Sequence, residues 1–468
     1  MTGFTELGRG TRGALRAFGV VPAAGRAARL EQLAAALEDA DDARFWLALS
    51  VRQGRLPVWS EVVAFRRSVV AEGLQAAWRR HRPRPQLRRQ AMVVTGATVV
   101  DVHHTAASGL ATGIQRVARA LAEHLVSTGG VLIGWGTSGD RIVALPAERV
   151  LARTKTIRGR AVIPWNCTYL LPEIVTEVRR SARIGALVRA SNAKSVAIGM
   201  DAIPLTTAET TGLGMPGAFS RHLAAVAHMD AILPISHASA REYEGWAAML
   251  PAAGLPAPIV RPVVIAETAA VPSTDDLAAA RATLARLGLE ADLPLVLCVG
   301  SHEPRKNHDA VLVAAELLWR EGHRFRLLFV GGNAWRSDTF VRRCARLRES
   351  GRPVASVRGI SDGILWGLYR EARFTVFPSL NEGFGLPIAE SLLSGVPVVT
   401  SGFGSMAELA QAGGCLLVDP RSERSIADGM RRLLVDDAER DALAAEAAAR
   451  RERTWDEYAL QVAEALLT

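Results

Sequence analysis

Apolar positions change their period as the chain proceeds. In RLEQLAAALEDADDARFWLAL (29–49) and EVVAFRRSVVAEGLQAAWRR (61–80) they recur at the spacing that gathers them on one face of a helix. The stretch RRHRPRPQLRR (79–89) interrupts that rhythm at Pro83 and Pro85 and reads as a basic linker, so residues 1–90 form a helical extension. From Val93 onward, short β-branched runs (TVVDV, VLIGW, SVAIGM, AILPIS, PIVRPVVIA) alternate with helical stretches, which predicts a βαβ domain over 91–272. A seam, AETAAVPSTDD (266–276), separates it from a second alternation. There PLVLCVG, RFRLLFVGG, PVASVRGI, FTVFPS, VPVVTS and CLLVDP are apolar throughout, as a parallel sheet covered on both faces requires. This predicts a doubly wound α/β domain over 273–435, followed by helices over 436–468 that pack back toward the first domain.

Composition agrees with two or more globular cores: 468 residues, 49% hydrophobic and 22% charged. No apolar run of membrane-spanning length is free of charges and helix breakers, and residues 1–22 lack a signal-peptide core, so a cytoplasmic location is expected. Cys167, Cys298, Cys344 and Cys415 are scattered without CxxC spacing, which argues against a zinc site or a disulfide framework. The net charge of +9 is uneven: residues 1–90 hold sixteen arginines against eight acids, whereas the remainder holds 40 bases and 39 acids. Of the 56 basic residues, only Lys155, Lys194 and Lys306 are lysine, so each lysine raises a question about its site.

Ligands of open α/β sheets bind beyond the carboxyl ends of the strands, and three such exits in the second domain are unusual. In LCVGSHEPRKNH, Gly300 closes a strand and Arg305 and Lys306 follow it, a pattern suited to a phosphate. Two cations at a solvated helix start are the alternative, although they would oppose the helix dipole. FVGGNAWRS offers Gly331 and Gly332, equally consistent with a plain turn. In NEGFGLPIAE, Glu382 and Glu390 flank a Gly383–Phe384–Gly385 loop, with Pro387 placed as a first helical residue and Glu390 in the first helical turn. Amides opening that helix suit a diphosphate, and Glu390 suits a ribose diol. Two surface glutamates around an ordinary turn are the bland alternative.

The run GISDGILWGLYREARFTVFPSLNEGFGLPIAESLLSGVPVVTSGFGSMAEL, with VGSHEPRKNH upstream, resembles glycosyltransferase family 4, retaining enzymes of the GT-B fold, most closely over about 293–435. The resemblance implies two Rossmann-like domains facing a cleft, with the nucleotide-sugar donor on the C-terminal side and the acceptor on the N-terminal side. It implies Glu390 on the ribose, Glu382 on sugar hydroxyls, and the Gly383–Leu386 loop, with the Phe384 and Gly385 amides, near sugar and phosphate. Arg305 and Lys306 would hold the diphosphate beside Gly300, with Ile360 near the base. No cofactor or metal is required, and EPRKNH, similar to mannosyl-transferring members, favours a GDP-sugar.

TVVDVHHTAASGLATGIQRVARAL resembles the family's first strand, glycine loop and helix, which places Gly113, Arg116, His103 and His104 at the acceptor side of the cleft. SVAIGMDAIPL resembles the strand that carries an active-site histidine, but Met200 stands where that histidine precedes Asp201. Methionine cannot donate a charged hydrogen bond, so His103 or His104 compensates, or Asp201 and backbone carbonyls suffice, or activity is lost. A silent, sugar-nucleotide-binding partner subunit is therefore an alternative, and a glycoside hydrolase using the two glutamates is another. In the extension, Arg66, Arg67, Arg79, Arg80, Arg82, Arg84, Arg88 and Arg89 with Trp59 and Trp78 suit an anionic membrane surface carrying lipid-linked acceptors. A solvated helical cap on the first domain suits them equally; nucleic acid does not, because no reading module accompanies the charge.

Overall fold

The computed structural model describes residues 3–6, 10–81, 91–108, 112–151, 157, 159–289 and 291–467. Its strands form two sheets. The first contains β1 (Gly3–Glu6), β2 (Met92–Thr95), β3 (Thr98–Asp101), β4 (Val131–Trp135), β5 (Ile142–Ala144), β6 (Ala161–Pro164), β7 (Thr168–Leu171), β8 (Lys194–Gly199), β9 (Ala231–Pro234) and β10 (Ile259–Val260). They lie in the order β1-β2-β6-β5-β4-β3-β7-β8-β9-β10. The run from β4 through β3 to β10 is parallel, while β5 is antiparallel to both neighbours and β1 is antiparallel to β2.

The second sheet holds β11 (Leu295–Val299), β12 (Arg326–Val330), β13 (Val354–Val357), β14 (Ala372–Phe377), β15 (Val398–Ser401) and β16 (Cys415–Val418). It is wholly parallel, in the order β13-β12-β11-β14-β15-β16. Strand order reverses between β11 and β14, the point where such sheets leave a ligand crevice. Alternate residues serve opposite faces. Val296 and Cys298 join the core under helices His308–Arg320, Asp338–Glu349 and Glu423–Val435, whereas Leu295 and Leu297 join the core under Thr274–Arg286 and Asp362–Glu371.

Of the two expectations for the extension, its described helices fit a cap on the first domain. Its helices supply Leu33, Trp46, Phe65 and Trp78 to one core shared with Val99, Ile133, Tyr169 and helix residues Ile184 and Leu187, so it is a layer on one face of the first sheet. Residues 3–6, expected as helix, add an edge strand instead. Trp78 is buried, and Trp59 lies half-buried with the Arg189 guanidinium 3.7 Å from its ring centre. Arg66 pairs with Asp42 and Arg80 with Glu72. Arg82, Arg84, Arg88 and Arg89 lie outside the described residues, as does Lys155. Among the described residues, no helix is long and apolar enough to cross a membrane.

The other face of the first sheet shares a core with the second domain: Val100, Leu132 and Ile198 join Phe377, Phe384 and Ile388 in one apolar cluster. Helix Trp455–Leu467 adds Tyr458 and Val462 to that cluster beside Val117 and Leu121 of helix Gly113–Ser127.

Candidate active site

The exits of β11 and β14 are built against each other. Gly300 has φ +150°, and a Cβ on Gly331, at the β12 exit, would lie 1.9 Å from the Gly300 carbonyl oxygen. Gly331 is thus required by the approach of two backbones. After Gly300 the turn Pro304–Lys306 ends at Asn307 in the left-handed conformation (φ +60°). Its side-chain amide donates to the Pro378 and Pro420 carbonyls, tying the ends of β11, β14 and β16 together.

That turn delivers Arg305 and Lys306 to Glu382. Lys306 Nζ lies 2.6 Å from Glu382 Oε1, and Arg305 Nη1 lies 2.6 Å from Glu382 Oε2. Arg305 also donates to Glu303 and to the Asn381 carbonyl. Burial would raise the Glu382 carboxyl, but Arg305 and Lys306 hold it down to about 2. Burial pulls the Lys306 ammonium down despite Glu382. The lysine singled out by composition is therefore an enclosed cation with a single carboxylate partner and the face of Phe377 4.9 Å away.

The loop beyond Glu382 is pressed onto the first domain. A Cβ on Gly383 would lie 2.7 Å from Asp201 Oδ2, and the Gly383 carbonyl accepts hydrogen bonds from Ser236 Oγ (2.7 Å) and Ser239 Oγ (3.2 Å). Ser239 Oγ also donates to the Met200 carbonyl. Met200 itself is buried in the shared apolar cluster, and so is the Phe384 side chain, which leaves backbone groups as what Phe384 can offer a ligand. Asp201 is half-buried, and desolvation pushes its carboxyl up to about 6 against the pull of Arg305.

Gly385 (φ +108°) precedes helix Leu386–Leu393, so Leu386 is its first residue and Pro387 its second. Glu390 is fifth, past the first turn where it was expected. Its Oε1 accepts from Arg116 Nη1 at 2.8 Å and its Oε2 from the Tyr369 hydroxyl at 3.0 Å. Gly113, one turn before Arg116, faces Leu386: its Cβ would lie 3.4 Å from Leu386 Cδ1. Ile360 follows Gly359 at the β13 exit, half-buried in the cluster beneath helix Asp362–Glu371.

His103 and His104 open the short helix His103–Ala107 at the exit of β3. His103 Nδ1 accepts the Trp135 backbone N–H, and burial beside Arg180 holds the ring neutral, down to about 4. His104 pairs with Glu177, whose hydrogen bond raises the imidazole although burial opposes it. Neither is bonded to Asp201 among the described residues. His103, His104 and Glu177 are near enough to suggest a metal site. Yet a neutral imidazole has one lone pair, and that of His103 is spent on Trp135. Behind them a buried network joins Asp101 to Arg180 (3.0 Å), Trp135 Nε1 (2.7 Å) and the Tyr169 hydroxyl (2.7 Å), while Glu173 caps the backbone of His104 and Thr105.

Sequence reasoning missed several groups that close the cleft. Trp335 Nε1 donates to the Thr210 carbonyl and Arg336 to the Glu209 carbonyl, while Glu408 accepts the N–H groups of His237 and Ala238. Beside Glu382 remains a polar cavity of about 340 Å³ lined by Ser239, Arg241, Glu242, Asn381 and Phe403. Tyr369 left a trace in composition: the chain has four tyrosines, and all four are buried.

Two α/β domains meeting across a cleft, with a wholly parallel second sheet and its charged groups at the order-reversal point, define a GT-B glycosyltransferase fold. Similar solved structures include sucrose-phosphate synthase from Thermosynechococcus elongatus (TM-score 0.57, 20% identity, 79% of this chain and 98% of that one). Anabaena HepE, solved with UDP and glucose, is another (TM-score 0.59, 14% identity, 80% and 100%). Residues 281–450 match the family model of the glycosyl transferases group 1. The serotype-specific mannosyltransferase WbdA of Escherichia coli is 28% identical over 340 residues, which are 68% of this chain and 40% of that protein. The D-inositol 3-phosphate glycosyltransferase of Xylanimonas cellulosilytica is 36% identical over 211 residues, 43% of this chain and 48% of that one. The chain thus spans less than half the length of these relatives.

Proposed function

We propose that the chain is a retaining glycosyltransferase that moves a hexosyl unit from a nucleoside diphosphate sugar to a hydroxyl acceptor, in polysaccharide or glycoconjugate assembly in the cytoplasm. The observation that carries the reading is the convergence of Arg305, Lys306 and Glu382 beside the amides that open helix Leu386–Leu393, at the order-reversal point of the second sheet. A diphosphate would take the two cations and the sugar hydroxyls would take Glu382, with Asp201 packed on the same loop.

In this reading the acceptor oxygen attacks the anomeric carbon on the face the diphosphate leaves. The old C–O bond breaks as the new one forms, and the acceptor proton passes to a departing phosphate oxygen. Arg305, Lys306 and the loop amides stabilise the negative charge growing on that leaving group. The mannosyltransferase relatives favour a GDP-sugar, and HepE, solved with UDP, makes a UDP-sugar the competitor. A saccharide or lipid-linked acceptor would enter from the first domain.

Met200, apolar and buried, supports one other reading: a silent, sugar-nucleotide-binding partner subunit. In the glycoside hydrolase reading Glu382 would be confined to the base, because two cations hold its carboxyl down to about 2, and the acid would fall to Glu390, which burial raises. Thermal-shift screening against UDP, GDP, ADP and dTDP, followed by transfer assays with the matching sugars and NMR of the product's anomeric proton, tests the proposal. A retained anomeric configuration and loss of turnover in Lys306→Ala are expected. Tight binding with neither transfer nor hydrolysis would favour the silent subunit, and an inverted product would overturn retention.

A further inference from the structure

We propose that Arg116 is a specificity-determining residue, which occupies the nucleoside half of the cleft by pairing with Glu390 and gives way to ligands that bring a phosphate for its guanidinium. This rests on the reading that Glu390 grips the donor ribose, and adds to it what stands in that place when the donor is absent.

Both oxygens of Glu390 are taken, one by Arg116 from the first domain and the other by Tyr369 from its own. Each oxygen keeps a second lone pair, but the carboxylate is only 7% exposed beneath Arg116, so a ribose diol reaches it only where a partner makes room. Arg116 is the partner able to do so: its side chain is 38% exposed against 7% for Glu390, whereas the Tyr369 hydroxyl is buried. The Asp362 carboxylate, which opens the helix after Ile360, also acts electrostatically on the Arg116 guanidinium.

Gly113, three residues earlier on the same helix, abuts Leu386 at the mouth of the amide-lined turn. A displaced Arg116 therefore has the expected diphosphate within a side chain's length. A nucleoside would break the ion pair and return nothing to the cation, whereas a nucleoside diphosphate offers it charged oxygens. Arg116 thus widens the affinity gap between the two ligands from both ends.

The test is calorimetric titration of the full chain with guanosine, uridine, GDP and UDP, for wild type, Arg116→Ala, Arg116→Gln and Glu390→Gln. Removing the guanidinium is expected to tighten nucleoside binding about fivefold and to weaken diphosphate binding by at least as much, as a half-exposed ion pair allows. Arg116→Gln, which keeps most of the volume, is expected to behave as Arg116→Ala does. Equal weakening of both ligands, or no change in either, would overturn the proposal. If Glu390→Gln leaves nucleoside binding unchanged, the ribose reading itself falls. If Glu390→Gln weakens it and neither Arg116 variant alters the gap, that reading stands and the role of Arg116 does not.

Discussion

Glu382→Gln is the most informative single change, because it keeps the shape of the side chain and removes the charge that two cations share. Arg305 would retain Glu303, so the uncompensated charge falls on Lys306, which is enclosed and has the Phe377 ring as its remaining favourable neighbour. Breaking a buried pair by removing one partner costs about 3–5 kcal/mol, and we take the lower end because an amide still accepts one hydrogen bond. For a domain of this size, roughly 3 kcal/mol lowers the melting temperature by about 6–12 °C. Differential scanning fluorimetry in phosphate-free buffer reads this directly. Adding pyrophosphate or a nucleoside diphosphate should restore much of the loss, because the ligand supplies the missing negative charge, so the ligand-induced shift should exceed that of the wild type. A variant that melts with the wild type, or an equal anion-induced shift in both, would refute the view that Glu382 is the internal counter-ion of a diphosphate site. The wild-type carboxyl is depressed from 4.5 to about 2, so its stabilisation is present above pH 4.5 and is lost as pH falls toward 2.

Other outcomes follow from the same geometry. Asp201 is raised from 3.8 to about 6, so the folded protein binds its proton more tightly and stability should decline as pH rises across that window, then level off. Asp201→Asn should flatten this dependence and gain about 2 kcal/mol at pH 7, measured by urea unfolding at pH 5 and pH 8. Gly383→Ala would drive a methyl toward Asp201 and the Met200 carbonyl; a loss of about 1–3 kcal/mol together with weakened donor binding is expected, part of it recovered when Asp201 is shortened to alanine. Arg180→Met strips the buried cation from Asp101 and Glu173 and should cost about 3–5 kcal/mol in chemical denaturation, while donor binding in the folded fraction stays close to wild type.

Much of the second domain was legible because a parallel sheet buried on both faces must be written in uninterrupted apolar runs, and its loops punctuate them with glycine. The six runs read from the pattern are β11 to β16. The first domain was less legible: β1, β2, β5, β6 and β7 were not among the runs read, and β5, antiparallel to both neighbours, stands outside the βαβ alternation that guided the reading. For the extension, arginine content left a membrane surface and a cap equally open. Phe65 and Trp78 pack on each other inside a core that also holds Val99, Ile133 and Tyr169, and no local pattern announces that shared core.

The sequence alone therefore singled out the candidate residues: a scarce lysine beside an arginine, two glutamates around a glycine turn, and a methionine before an aspartate. Tertiary structure decided whom each one meets. Lys306 and Arg305 share Glu382 across 76 residues, and Glu390 is divided between Tyr369 and an arginine 274 residues away. A charge's partner depends on distance and on the exclusion of water, and both exist only once two sheets have closed over the cleft.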